Sequence, residues 1–212
     1  MGTYKKGILG SFSGKVGTVV GSSWNGIEYM RSLPKPSSKA PTDLQMLQRA
    51  KLGMATGFLQ PISALINIGY KSLAIRQTAF NVANSQLLAE AITGIYPDLR
   101  IDYPKVLISK GNLTGPWCPA ATSAASKVNV TWQDNSASGT AKATDKVILL
   151  VYNPEKSQYV FTTEGVDRSI LADSMDVPAD FVGDTVHVWM AFISADKKTV
   201  SKSLYISEVV IA

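Results

Sequence analysis

The chain has 212 residues, 45% of them hydrophobic and 17% charged, with a formal net charge of +5. That is a soluble globular balance, long enough for one large domain or two small ones. The single cysteine, Cys118, excludes an intrachain disulfide, so stability has to come from packing.

The charge is uneven. Residues 1–100 carry 11 Lys/Arg against 4 acids, whereas residues 101–212 carry 10 against 12. A basic half joined to a faintly acidic half supports two domains and suggests that the first meets something anionic. Met1 to Phe12 is basic and glycine-rich without an apolar run of signal-peptide type, so a cytoplasmic location after synthesis is expected.

Residues 1–41 read as a glycine-rich basic hairpin and its linker. Glycines at 7, 10, 14, 17, 21 and 26 recur too densely for a helix. Asn25-Gly26 lies between Val19–Trp24 and Ile27–Ser32 and supplies the positive φ angles of a type I′ turn. Glycine within strands marks bulges or close backbone approach. Pro34 to Pro41 is the expected linker.

Residues 42–100 read as helical, joining 1–41 in an N-terminal domain. Thr42-Asp-Leu-Gln45 is a capping-box pattern, followed by Leu44, Leu47, Leu52 and Ala55 near one face. Pro61 starts or kinks a second helix with Ile62, Leu65 and Ile66. A third is expected over 77–92, with Phe80, Ala83, Leu87, Leu88 and Ala91 as its stripe and Gly94 and Pro97 beyond its end. Leu52 to Tyr70 holds no charged residue and approaches spanning length. Gln60, Pro61, Ser63 and Asn67 in its middle favour a buried helix pair, and no membrane span is expected.

Residues 101–212 carry seven strand-like runs, at 106–108, 128–132, 147–152, 158–162, 168–171, 186–193 and 203–211. Turn residues such as Asn153-Pro154 and Asp196-Lys197 separate them. Seven short strands at this spacing predict an immunoglobulin-like sandwich, with Trp132 and Tyr152 in or near its core. The pattern around Trp132, Tyr152, Val188 to Phe192 and Ser203 also resembles fibronectin type III strands B, C, F and G. The fold class is therefore α+β: an N-terminal hairpin and helical domain, then a sandwich entered at Tyr103-Pro104.

No motif assembles a catalytic, cofactor or metal site. Gly10-Ser-Phe-Ser-Gly14-Lys15-Val16 fails as a phosphate loop, because its glycines are too close and Val16 stands where Ser or Thr must hold magnesium. His187, the only histidine, alternates with Val186 and Val188 on a strand. Asp184 is nearby, but no nucleophile-elbow sequence exists. Cys118 is either a small buried hydrophobe or a lone exposed thiol. Asp134, Asn135, Ser136 and Asp145 lack calcium-loop spacing and read as solvated loop groups. Tyr4, Phe12, Trp24 and Tyr29 interleave with Lys5, Lys6, Lys15 and Arg31, a mixture suited to stacking on single-stranded nucleic acid or to a subunit interface. Lys15, Trp24, Tyr29 and Arg31 are the expected partner-binding residues.

Gly10 to Gly21, Trp24-Asn-Gly-Ile, Met30-Arg-Ser-Leu-Pro34 and Thr42-x-x-Gln45-x-x-Gln48-Arg49 resemble a family of uncharacterised proteins common in Bacteroidota. Trp132-x-Asp-Asn-Ser136, Val151-Tyr-Asn-Pro154 and Ser203-x-Tyr205 are similar to it as well. The resemblance implies the two-part architecture and brings no activity or catalytic residues. The expected function is that of a non-enzymatic assembly or binding protein. It would act through a protein partner or self-association by its N-terminal segment, as a structural component or payload of a phage-tail-like contractile injection particle. The alternative is a nucleic-acid-binding protein using the basic half.

Overall fold

A computed structural model describes residues 2–4, 11–24, 26–36 and 38–212 and divides the chain into two units, Met1–Asp43 and Leu44–Ala212. The fold is mixed α+β, mostly β.

The first unit is an antiparallel sheet of β1 (Thr3–Tyr4), β2 (Phe12–Val16), β3 (Val19–Trp24) and β4 (Ile27–Ser32), ordered β1-β2-β3-β4. The expected hairpin is β3–β4. Trp24 opposes Ile27 across a two-residue turn in which Gly26 adopts φ +80°, while Asn25 lies outside the described residues. A second tight turn carries Gly17 at φ +58° between Val16 and Val19. Among the described side chains of β2, β3 and β4, only Gly21 is buried.

The second unit opens with α1 (Asp43–Leu59), α2 (Ser63–Gly69) and α3 (Ala79–Glu90). The Thr78 hydroxyl caps α3 by accepting from Asn81 N–H at 3.2 Å, satisfying one orphan donor of its first turn. A short hairpin follows, β5 (Ile92–Ile95) with β6 (Asp98–Ile101). The remaining strands are β7 (Trp117–Ala124), β8 (Lys127–Gln133), β9 (Lys146–Asn153), β10 (Gln158–Thr162), β11 (Ala172–Asp176), β12 (Thr185–Ile193) and β13 (Leu204–Val210). They make two antiparallel sheets, β11-β8-β7 and β10-β9-β12-β13.

The central strands β9 and β12 are buried on both faces, and side-chain alternation sorts them between two cores. Val147, Leu149 and Val151 of β9, with Val186, Val188, Met190 and Phe192 of β12, meet Val128, Val130 and Trp132 of β8. The alternate residues Ile148, Leu150, Tyr152, Trp189, Ala191 and Ile193 meet the helices through Ala55, Phe58, Leu59, Leu65, Ile66 and Leu87. Tyr70 ties this layer together, its hydroxyl reaching Gln86 Oε1 at 3.0 Å and the Leu107 carbonyl at 3.1 Å.

The helices of 42–100 do not form a domain with 1–41: they cover the outer face of β9 and β12 and share their core. The break falls at Asp43/Leu44, not at 98–105, where Leu99 of β6 is buried in that same core. Tyr103-Pro104 starts a 3-10 turn and not a strand. Residues 106–108 and 168–171 are not strands, and β7 replaces the first of them. In α1, Leu44 and Leu52 are exposed, because the helix turns Ala55, Phe58 and Leu59 inward instead. No single helix among the described residues is long and apolar enough to cross a membrane; α1 and α2 bend by 89° at Pro61 and bury apolar residues against the sheet.

Candidate functional site

Register decides which side chains of the first unit share a face. Directly opposed residues in an antiparallel pair point the same way. Lys15 opposes Val20 and Val20 opposes Arg31, so these three form one row across β2, β3 and β4. Ser22 opposes Tyr29, and Trp24 opposes Ile27. By two-residue alternation all of them lie on one face. The four residues singled out in the sequence, Lys15, Trp24, Tyr29 and Arg31, are therefore brought together. Lys5 and Lys6 lie outside the described residues.

This face has two parts. Near the hairpin tip Trp24 (44% exposed), Ile27 (47%) and Tyr29 (42%) present apolar surface to solvent. At the other end Lys15 and Arg31 stand two strand spacings apart, about 9.5 Å, with Val20 between them. Neither cation joins an ion pair among the described residues. Glu28 belongs to the opposite face, so the described strands put no acid beside them.

The opposite face carries Phe12, Val16, Val19 and Met30. Gly21 is needed there. A Cβ at that position would come within 2.1 Å of the Phe12 carbonyl oxygen and 2.7 Å of its ring. Where β4 runs into Pro34, a groove of about 700 Å³ opens between Val19, Met30, Leu33 and Pro36.

The second unit holds polar groups in structural roles. His187 is nearly buried on β12. Its Nδ1 lies 2.9 Å from the Tyr205 hydroxyl, and its ring packs on Tyr103 at 4.1 Å between centroids. Burial lowers its pKa, against a smaller raising effect of Glu208. Asp184 is engaged elsewhere, accepting from Asn153 Nδ2 at 2.7 Å and from the Lys156 ammonium at 2.5 Å. Burial, with Tyr152 beside it, pushes the Tyr103 phenol up to about 12. Cys118 is exposed, in an irregular stretch of β7 at φ +44°. Among the described residues no group of three or more His, Cys, Asp or Glu could hold a metal ion.

One buried cluster was not legible in the sequence. Arg168 is fully buried. It donates to Asp145 Oδ2 from Nε at 3.2 Å, to Asn135 Oδ1 at 2.6 Å and to the Thr114 carbonyl at 2.8 Å. Its guanidinium lies 3.7 Å from the centre of the Phe192 ring, and its carbonyl accepts from Trp132 Nε1 at 2.8 Å. Asn135 and Asp145, read from the sequence as solvated, are buried partners of this arginine. Residues 33 and 23 positions from Arg168 carry no spacing that announces the contact.

A family model, that of a family of unknown function (DUF6266), matches residues 11–207. The chain belongs to this family. The match takes in β2, β3 and β4 and the second unit as far as Ser207, so the face of Lys15, Trp24, Tyr29 and Arg31 lies within the family's extent. No curated protein matches the chain.

Proposed function

We propose that the chain is a non-enzymatic assembly protein that engages a protein partner through the first unit's sheet. The observation that carries this is the face holding Lys15, Val20, Trp24, Ile27, Tyr29 and Arg31. Aromatic residues and arginine are the side chains most enriched at protein interfaces and their hot spots. A sheet with so little buried in it gains its apolar burial by docking. Nucleic acid is the weaker alternative. The described face offers two cations, whereas phosphate tracking needs several, and its aromatics cluster at one end rather than along a basic groove.

We infer that the strands from β7 onward form an immunoglobulin- or fibronectin-III-like sandwich acting as a display scaffold. In support, β9, β12 and β13 adjoin one another as strands C, F and G do, while β8 lies with β7 and β11 in the other sheet as B does with A and E. The setting we propose is a phage-tail-like contractile injection particle, in which a small protein whose N-terminus shows no apolar signal-type run can leave the cell; the Bacteroidota source is proposed from the motif resemblance. The chain would be made in the cytoplasm and carried as component or payload.

The test uses the full chain and its Trp24→Ala/Tyr29→Ala variant. Binding to random single- and double-stranded oligonucleotides is measured at low and physiological salt, and co-sedimentation with particles from the producing cell is followed in parallel. We expect no salt-sensitive oligonucleotide binding, and loss of co-sedimentation in the variant. Micromolar binding that weakens steeply with salt would overturn the reading.

A further inference from the structure

The strand β4 is an edge. Its only partner among the described residues is β3, and all six of its side chains are exposed. Edges in natural proteins are blunted by proline, by charged side chains (lysine above all) or by bulges. From Ile27 to Ser32 there is no proline, the two charges, Glu28 and Arg31, are of opposite sign, and the β3–β4 register runs without a bulge. The next residue but one, Pro34, ends the run.

The direction of the free backbone groups follows from one hydrogen bond. Leu33 N–H donates to the Thr18 carbonyl at 2.7 Å, so the N–H of Leu33 points toward β3. Alternation then aims the N–H and C=O of Arg31, Tyr29 and Ile27 inward and those of Glu28, Met30 and Ser32 outward. Three consecutive outward pairs make a template for another strand.

We propose that a second copy of this chain occupies that edge, β4 pairing antiparallel with β4 of its twin about a two-fold axis through Met30. This deepens the protein-partner reading of the same sheet and rests on it. Two requirements select the register. A two-fold perpendicular to the sheet keeps each face on its own side, which restricts pairings to residues of like parity. Pairing the outward groups to the limit set by the turn and Pro34 then places Glu28 opposite Ser32, Met30 opposite Met30 and Ser32 opposite Glu28. All three outward positions on each copy exchange backbone hydrogen bonds.

The same register sets Tyr29 of one copy opposite Arg31 of the other, twice, in the closer non-hydrogen-bonded positions. Each guanidinium meets a tyrosine ring, an attractive cation–π pair. The Lys15–Arg31 end of one copy is thereby brought beside the aromatic end of the other, and the interaction face becomes continuous over six strands, β2 to β4 of each copy. Moving the register by two residues sets Tyr29 against Tyr29, loses hydrogen bonds and leaves both arginines opposite Ile27.

The test is register-specific cross-linking in the full chain. On a Cys118→Ser background, Met30→Cys and Glu28→Cys variants are oxidised and run without reductant. In the proposed pairing the two Met30 Cα atoms are about 5.5 Å apart, inside disulfide range, whereas the two Glu28 positions are offset along the strands. We expect a covalent dimer from Met30→Cys and none from Glu28→Cys. Sedimentation of the Cys118→Ser protein across a concentration series should show a reversible dimer, weakened roughly tenfold by Tyr29→Ala/Arg31→Ala. Met30→Pro, which removes an outward N–H that β3 does not use, should leave a folded monomer. A monomer at the highest concentration, equal cross-linking by both cysteine variants, or a dimer that survives Met30→Pro would each overturn the proposal. A monomer whose Trp24→Ala/Tyr29→Ala variant still loses particle co-sedimentation would sink this inference and leave the protein-partner reading standing.

Discussion

Two antiparallel sheets in one chain meet opposite fates. In the first unit, β4 exposes every side chain, and the described strands β2 to β4 bury only Gly21. In the second, β9 buries seven of its eight residues and β12 eight of its nine, each on both faces. The difference lies in pattern. Val147-Ile-Leu-Leu-Val-Tyr152 and Val186-His-Val-Trp-Met-Ala-Phe-Ile193 are near-continuous apolar runs, which suit strands covered above and below. The strands of the first unit mix serine, glycine, charge and aromatic residues on both faces. One sheet is covered on both faces by its own chain, and the other leaves its apolar side chains exposed.

The largest test of that contrast is to uncover the central strands. A fragment from residue 101 onward lacks the helices and lays bare Ile148, Leu150, Trp189 and Ala191. It is expected to aggregate or remain unfolded by circular dichroism, whereas 44–212 should melt cooperatively. A soluble, cooperatively folding 101–212 fragment would show the helical layer to be dispensable.

Next come single changes inside the closed unit. Arg168→Met strands Asp145 as a buried unpaired carboxylate and should cost about 3–5 kcal/mol, read by urea denaturation. Adding Asp145→Leu should recover part of the loss, since the uncompensated charge goes with it. Trp132→Ala removes a buried indole packed edge-on against Phe192 and should cost about 3–5 kcal/mol. A midpoint close to the parent's for either single variant would mean that these sheets are less tightly closed than their burial implies.

A smaller effect should follow pH. Burial holds the His187 pKa in the folded chain below its ordinary 6.5. As pH falls through 6.5 the unfolded chain takes up the proton first, so this contribution to stability is full above that value. It declines as pH drops toward the lowered folded pKa. His187→Gln should flatten that part of the stability–pH curve and leave particle association unchanged. A folded variant that lost association would give His187 a functional role.

How much of this the sequence carried depends on the range of the contact concerned. The β3–β4 hairpin was legible because Asn25-Gly26 and its flanks are local. The third helix was legible in its stripe of Ala83, Leu87 and Ala91. The common face of Trp24, Tyr29 and Arg31 follows from register once the Asn25-Gly26 turn is placed, whereas Lys15 joins it through a second turn at Gly17, not placed from the sequence. The layer formed by helices and sheet was not legible as such: a continuous apolar run says that a strand is covered twice, not by what. Arg168 was hidden for the same reason, since Thr114 comes from the loop before β7 and Asn135 and Asp145 from opposite ends of the β8–β9 connection. Leu44 and Leu52 show the converse, an apolar spacing that fits a helix face the fold does not use.

The smallest expected stability effect belongs to the open sheet, and there the sign of the comparison is sharpest. Trp24 and Tyr29 are each more than two-fifths exposed. Changes at exposed positions generally stay within about 0.5 kcal/mol. Trp24→Ala and Tyr29→Ala should therefore leave the urea midpoint of the isolated chain almost unmoved, while Trp132→Ala lowers it severely. Association should reverse that ranking. At an interface the buried aromatic anchors dominate, and each truncation is expected to cost about 2 kcal/mol or more of binding, a loss of roughly thirtyfold in affinity. Stability and particle co-sedimentation measured on the same three variants thus give opposite orders if the first sheet is an interface. If Trp24→Ala and Tyr29→Ala unfold the chain instead, their side chains belong to a core and the sheet is no docking surface.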